Sequence, residues 1–252
     1  MSSRAHAGIV ASPGPLHRLG GRCKLLGTLA FVAVVVTTPP RQWWAFAFEA
    51  AVVVAVAVYA RLPLRDVARR LTIELPFVAF ALAMPFVGRA PTIAVAGLHL
   101  SEPGLWAAWG IIAKGTLGVA ATIVLASTTS VPDLLAAFER LRAPRTLTMI
   151  ASFMIRYADI VTDEMRRMNI ARVSRGDNPR WLWQARAVGS SAGALFVRSY
   201  ERGERVYLAM ASRGFDGTLP VQEADERQEA WVPCLCPALI AAAVSLSAWI
   251  LA

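Results

Sequence analysis

Two six-residue runs in this chain share one pattern, Ala171-Arg-Val-Ser-Arg-Gly176 and Ala209-Met-Ala-Ser-Arg-Gly214. Each reads Ala-x-x-Ser-Arg-Gly and closes a stretch with helical periodicity. A Gly in that place terminates a helix and leaves the preceding Arg exposed at its C-terminal tip. The bland account of such an Arg is that it complements the helix macrodipole. The sharper account is recognition: the guanidinium offers a charged fork, and small neighbours let a partner's backbone come close. The repetition favours one job done twice, at Ser174, Arg175 and Gly176 and again at Ser212, Arg213 and Gly214.

The remaining reactive residue types are sparse. His6, His17 and His99 are scattered, with no pair at metal-ligand spacing. No Gly-rich loop precedes a Lys-Ser/Thr, and no nucleophile elbow occurs. A chain without a Walker loop does not hydrolyse ATP, so no catalytic residue, no metal site and no bound cofactor is expected here. Cys23, Cys234 and Cys236 are too few for a disulfide framework and read as small buried hydrophobes. Two charges stand inside apolar runs, where ionisable residues are functional candidates. Glu49 lies roughly 9 Å and Lys114 roughly 13–14 Å along their runs from the same side, at 1.5 Å per helical residue. Opposite charges at similar depth predict an intramembrane ion pair; the alternative is a lone Glu near the interface.

These residues need elements to hold them, and composition says which. The chain has 252 residues, 56% of them apolar and only 17% charged. Soluble domains run at about 45–50% and 25%. Uncharged runs of 18 or more residues read as membrane spans. Five segments qualify or nearly qualify: Leu25–Thr38, Trp43–Ala60, Thr72–Gly88, Leu105–Ala126 and Trp231–Ala252. The first is the shortest and could instead belong to a secretory signal, although Val36-Thr-Thr-Pro-Pro40 is a poor cleavage site. Every Lys and Arg except Arg41, Arg89 and Lys114 falls in the N-terminal tail, the second-to-third connection or residues 127–230. The positive-inside rule then puts the N-terminus in the cytoplasm of a multi-pass protein of the cell membrane. The net charge of +9 is thereby a topology signal. A nucleic-acid partner would need aromatics interleaved with the basic residues, and there are none.

The expected fold class is an all-α integral membrane protein of about five transmembrane helices with a cytoplasmic module of long amphipathic helices. Residues 1–130 form a membrane domain of four spans, 131–230 the cytoplasmic module, and 231–252 a closing span. Within the module, Val131–Leu141 is amphipathic and Pro144 ends it. Thr146–Arg175 and Ala185–Arg213 read as two long helices, each apolar first and charged later, separated by the breaker Asp177-Asn178-Pro179. Gly189-Ser-Ser-Ala-Gly193 offers a small-residue face for helix approach, or is a chance Gly pair.

Phe153-Met-Ile-Arg-Tyr157, Glu164, the first Ser-Arg-Gly, and the run from Leu195 to Phe215 resemble the T component of energy-coupling factor (ECF) transporters. The second run is most similar to the cobalt-associated CbiQ branch, and the likeness is specific from about Lys114 to Gly217. It implies an ECF-type ABC importer in which this chain carries conformational change from the ATPases to a substrate-binding membrane subunit. Two ABC ATPase subunits would dock at the Arg motifs, and the S component would hold the cargo in the bilayer. Cobalt is the implied cargo, with nickel or a vitamin as alternatives on the same scaffold. The family usually places Ala where Ser174 and Ser212 stand. Arg156, Glu164, Arg198 and Glu201 fall in the likeness and imply structural charge pairing on the coupling helices, with snorkelling to lipid phosphates as the alternative. The rival from another class, a membrane enzyme or lipid-phosphate-binding protein, would require a convergent set of acids or metal ligands.

Overall fold

The computed structural model describes residues 16, 19–87, 92–95, 98–176, 185–217 and 231–250. Helices dominate: α1 (Gly21–Thr37), α2 (Trp43–Tyr59), α3 (Leu64–Arg70), α4 (Leu75–Val87), α5 (Glu102–Thr128), α6 (Val131–Arg140), α7 (Arg145–Ser174), α8 (Ala185–Ala211) and α9 (Trp231–Ile250). A 3-10 turn, Leu71–Glu74, leads into α4. His99 lies in a short antiparallel hairpin between α4 and α5. It pairs Thr92–Val95 with Leu98–Ser101 in the register Thr92↔Ser101 to Val95↔Leu98. The breaker Asp177-Asn178-Pro179 and the residues His6 and His17 lie outside the described residues.

The chain divides into two compact units, residues 1–137 with 223–252, and residues 138–222. In the first, α1 packs most extensively on α9 and α4 on α5. Phe31 and Val35 of α1, Phe46 and Val53 of α2, Leu117, Ala120 and Ala121 of α5, and Ala238 and Ala241 of α9 form its core. Small residues set the spacing. A Cβ on Gly27 would run into the Cys234 carbonyl oxygen, and one on Gly104 would lie 2.8 Å from that of Met84. The helix contacts there are backbone on backbone, the kind of approach small residues permit between membrane helices.

Among the described residues, two helices are long and apolar enough to cross a bilayer by themselves, α5 with 27 residues and α9 with 20. Only 22% and 28% of their most apolar windows are buried. The core helix of a soluble protein would be mostly covered; here the apolar surface faces outward, where hydrocarbon can solvate it. Exposed Phe77, Phe80, Leu82 and Phe86 on α4 repeat the pattern. This is an all-α membrane protein apart from the hairpin. Helices α1 and α2 have 17 residues each, about 26 Å at 1.5 Å per residue. The first helix starts four residues before the expected Leu25, and a charge inside it has its partners. Lys24 donates to the Thr128 carbonyl at 2.9 Å and to Thr129 Oγ1 at 3.4 Å.

The second unit is built on α7 and α8, 30 and 27 residues long. They line an apolar groove of about 350 Å³ walled by Phe153, Tyr157 and Val161 on one side and Ser199, Gly203 and Val206 on the other. Phe153 stacks on Tyr157 at 6.3 Å. The small-residue face expected at Gly189 and Gly193 makes no close approach: a Cβ on either would meet nothing within 4 Å.

Candidate functional site

The two Ser-Arg-Gly motifs end their helices in the same way. Gly176 and Gly214 both have φ of +84°, the left-handed region that a side chain disfavours. Their amides close the last turns, Gly176 onto the Val173 carbonyl and Gly214 onto the Ala211 carbonyl, both at 3.0 Å. Ser174 Oγ donates to the Ala171 carbonyl and Ser212 Oγ to the Ala209 carbonyl, again both at 3.0 Å. Each Ser thus turns its hydroxyl back onto its own helix. The α8 end adds a longer bond, from the Phe215 amide to the Met210 carbonyl at 3.1 Å, which completes a Schellman-type cap. Arg175 and Arg213 are exposed, and neither guanidinium has an acceptor among the described residues. Two exposed cations therefore sit on two similarly capped helix tips.

Behind the tips, Glu164 of α7 receives a hydrogen bond from Arg167 Nη2 at 2.9 Å and one from Arg198 Nη1 of α8 at 2.5 Å. These guanidinium bonds, Arg167 first and Arg198 next, hold its carboxyl below the ordinary carboxylate value. The carboxylate bridges two helices, and its partners fix their rotation. Arg156 and Glu201 stay outside this cluster and are exposed. Arg156 is eight residues before Glu164, about 12 Å along the axis and beyond side-chain reach. Arg167 belongs in the charged half of α7 and occupies the pairing position at i+3.

The intramembrane charges do not form the direct ion pair expected of them. Lys114 Nζ donates to the Val36 carbonyl at 2.7 Å, and the fully buried Glu49 accepts from Thr38 Oγ1 at 2.8 Å. The reason lies in the end of α1. The last four carbonyls of a helix lack intrahelical donors, and in this apolar setting each has found one. The Thr37 hydroxyl serves Val34, the Thr38 amide serves Val35, Lys114 serves Val36, and Trp249 Nε1 serves Thr37 at 3.0 Å. Ser245 Oγ stands 3.2 Å from the Thr38 hydroxyl. Sequence reasoning found both charges and missed the helix end that separates them. It also passed over Glu74, a buried acid whose Oε1 lies in the space that Gly115 leaves open. An acid at the head of an apolar segment was the available signal.

A helical protein with an apolar exterior and a second unit bearing two matched cationic tips has the make-up of a transport-complex membrane component. The chain belongs to the CbiQ family, described as a cobalt transport protein, which it matches over residues 13–223. It is 30% identical to the cobalt transport protein CbiQ of Rhodobacter capsulatus over 207 residues, 79% of each chain. It is also similar to energy-coupling factor transporter transmembrane proteins EcfT. Identity is 27% with that of Staphylococcus aureus, covering 86% of this chain and 84% of the relative, and 24% with that of Listeria innocua, covering 80% and 81%.

Proposed function

We propose that this chain is the energy-coupling T subunit of an ECF-type ABC importer, carrying the conformational change of cytoplasmic ATPases to a substrate-binding subunit in the membrane. The observation that carries this reading is the pair of equivalent tips at Arg175 and Arg213, exposed at capped helix ends and with no acceptor among the described residues. Two docking points fit two ATPase subunits, and the Glu164 bridge makes α7 and α8 answer to each other when either tip moves. The ATP is bound and hydrolysed by those partners, and this chain carries no cofactor. The cargo is held by a separate S component. Cobalt is the reading favoured for the cargo, supported by the CbiQ relative's name and extent of match. The basic N-terminal tail and the basic 127–230 stretch face the cytoplasm, and the five apolar helical segments cross the cell membrane.

The test is co-purification from native membranes with the subunits identified by mass spectrometry, run in parallel for the chain carrying both Arg175→Ala and Arg213→Ala. ATPase subunits and a small membrane protein should accompany the native chain. The double variant should insert in the membrane and lose the ATPases while keeping the membrane partner. Recovery of the ATPases in native amounts with the double variant would reduce the tips to ordinary helix ends.

A further inference from the structure

We propose that Cys23 and Cys234 are a covalent modification site, a disulfide formed by hydroperoxide that fastens the first helix of the membrane unit to the last. Both thiols are buried and free, and Cys234 Sγ approaches Cys23 Sγ to 2.8 Å. The pairing follows from the helix contact. Gly27 lies one turn beyond Cys23 on the same face of α1, and its missing side chain lets the Cys234 backbone come against α1. Cys236, two residues further on α9, points elsewhere and is exposed. A cavity of about 70 Å³ lined by Lys24, Gly27, Thr28 and Cys234 opens on the Cys234 side of the pair. One water needs roughly 10–15 Å³ of such volume, so the space holds a molecule the size of hydrogen peroxide.

The chemistry closes without another reactant. The Cys234 sulfur attacks one peroxide oxygen, the O–O bond breaks, and the departing hydroxide takes the thiol proton to leave water and a sulfenic acid. The Cys23 sulfur then attacks the sulfenic sulfur. The S–O bond breaks, and the second hydroxide leaves with the Cys23 proton as water. Two thiols are oxidised and one peroxide is reduced to two waters. Burial in apolar surroundings keeps the first step slow. The adjacent Cys23 makes the second step fast, so the sulfenic acid does not accumulate. The site is a slow recorder of oxidant exposure.

Membranes containing the full chain are exposed to hydrogen peroxide for increasing times, freed of peroxide, denatured in SDS with maleimide to block every remaining thiol, digested without reductant and mapped by mass spectrometry. The linked Cys23–Cys234 peptide should grow to the major form, lighter by two hydrogens than the separate thiol peptides, while Cys236 remains maleimide-labelled. In Cys23→Ser, an isosteric change, the sulfenic acid of Cys234 should instead be trapped by dimedone added as the peroxide-treated chain is denatured in SDS, since the resolving thiol is gone. A linked peptide containing Cys236, persistence of both free thiols at the longest exposure, or equal dimedone labelling of Cys234 in native and Cys23→Ser chains would each overturn the proposal.

Discussion

Arg175 and Arg213 stand where one side chain can decide whether an assembly forms. An Arg anchor in a desolvated contact costs about 2–4 kcal/mol when cut to Ala, roughly 30- to 700-fold in affinity. A helix-end Arg that only complements the dipole costs less than about 1 kcal/mol. Binding of the purified ATPases to each single variant should therefore fall into the larger range, a result that titration by surface plasmon resonance can read. The glycines beside them carry a different prediction. Left-handed backbone at Gly176 and Gly214 costs a Cβ-bearing residue about 1–2 kcal/mol, with no clash to add, because the space around each is open. Gly214→Ala should fray the α8 tip in hydrogen exchange and weaken ATPase binding less than Arg213→Ala. The motifs were legible in the sequence because their chemistry is local: three residues and a helix end. The Glu49 environment was not, since it depends on where the α1 carbonyls, Ser245 and Trp249 arrive from separate parts of the chain.

At the scale of elements, two contacts make opposite demands on glycine. A Cβ at Gly27 would meet the Cys234 backbone, and backbone cannot swing aside. Gly27→Ala should destabilise the membrane unit by about 1–3 kcal/mol, as overpacking does, and lower its melting temperature in detergent. Gly189→Ala should leave that temperature unchanged. The α7–α8 contact carries the pH prediction. Glu164 has a folded value below its ordinary 4.5, so its ionised form is favoured by folding. The stabilisation is complete above the ordinary glutamate value and is lost as the pH falls from there through the lowered one. Spin labels on α7 and α8 should report an unchanged separation from neutral pH to about 4.5, then a loosening in more acid solution that Glu164→Gln abolishes. Helix extents were readable from periodicity and end signals. At the head of α6, Ser130 Oγ donates to Asp133 Oδ2 at 2.6 Å and accepts from the Asp133 amide at 3.3 Å. What periodicity could not give was which small residues meet a neighbour, because that requires the partner helix.

For the molecule as a whole, the sequence declared a membrane protein through its long uncharged runs, and the outward apolar faces of α4, α5 and α9 agree with it. Helix pairing was out of reach, because no pattern along α1 says that its main neighbour is α9. The whole-molecule prediction concerns division of labour: purified by itself, the chain should turn over no ATP and bind cobalt with no appreciable heat in calorimetry. Micromolar cobalt affinity that survives replacement of His6, His17 and His99 would move substrate recognition into this subunit.

That α1–α9 pairing also sets a timetable for biosynthesis. Cys23 and Cys234 are 211 positions apart, so at about 5–20 residues per second the ribosome delivers the partner roughly 10–40 seconds after the first helix emerges. Until then the Gly27 face of α1 has no α9 to cover it. The contact of Lys24 with Thr128 and Thr129 can form earlier, once α5 is made, and gives the waiting helix a provisional anchor. A chain stopped before Trp231 would never fill the α1 groove. It should be cleared by membrane quality-control proteases while the full chain persists, and a pulse-chase comparison of the two would show the difference.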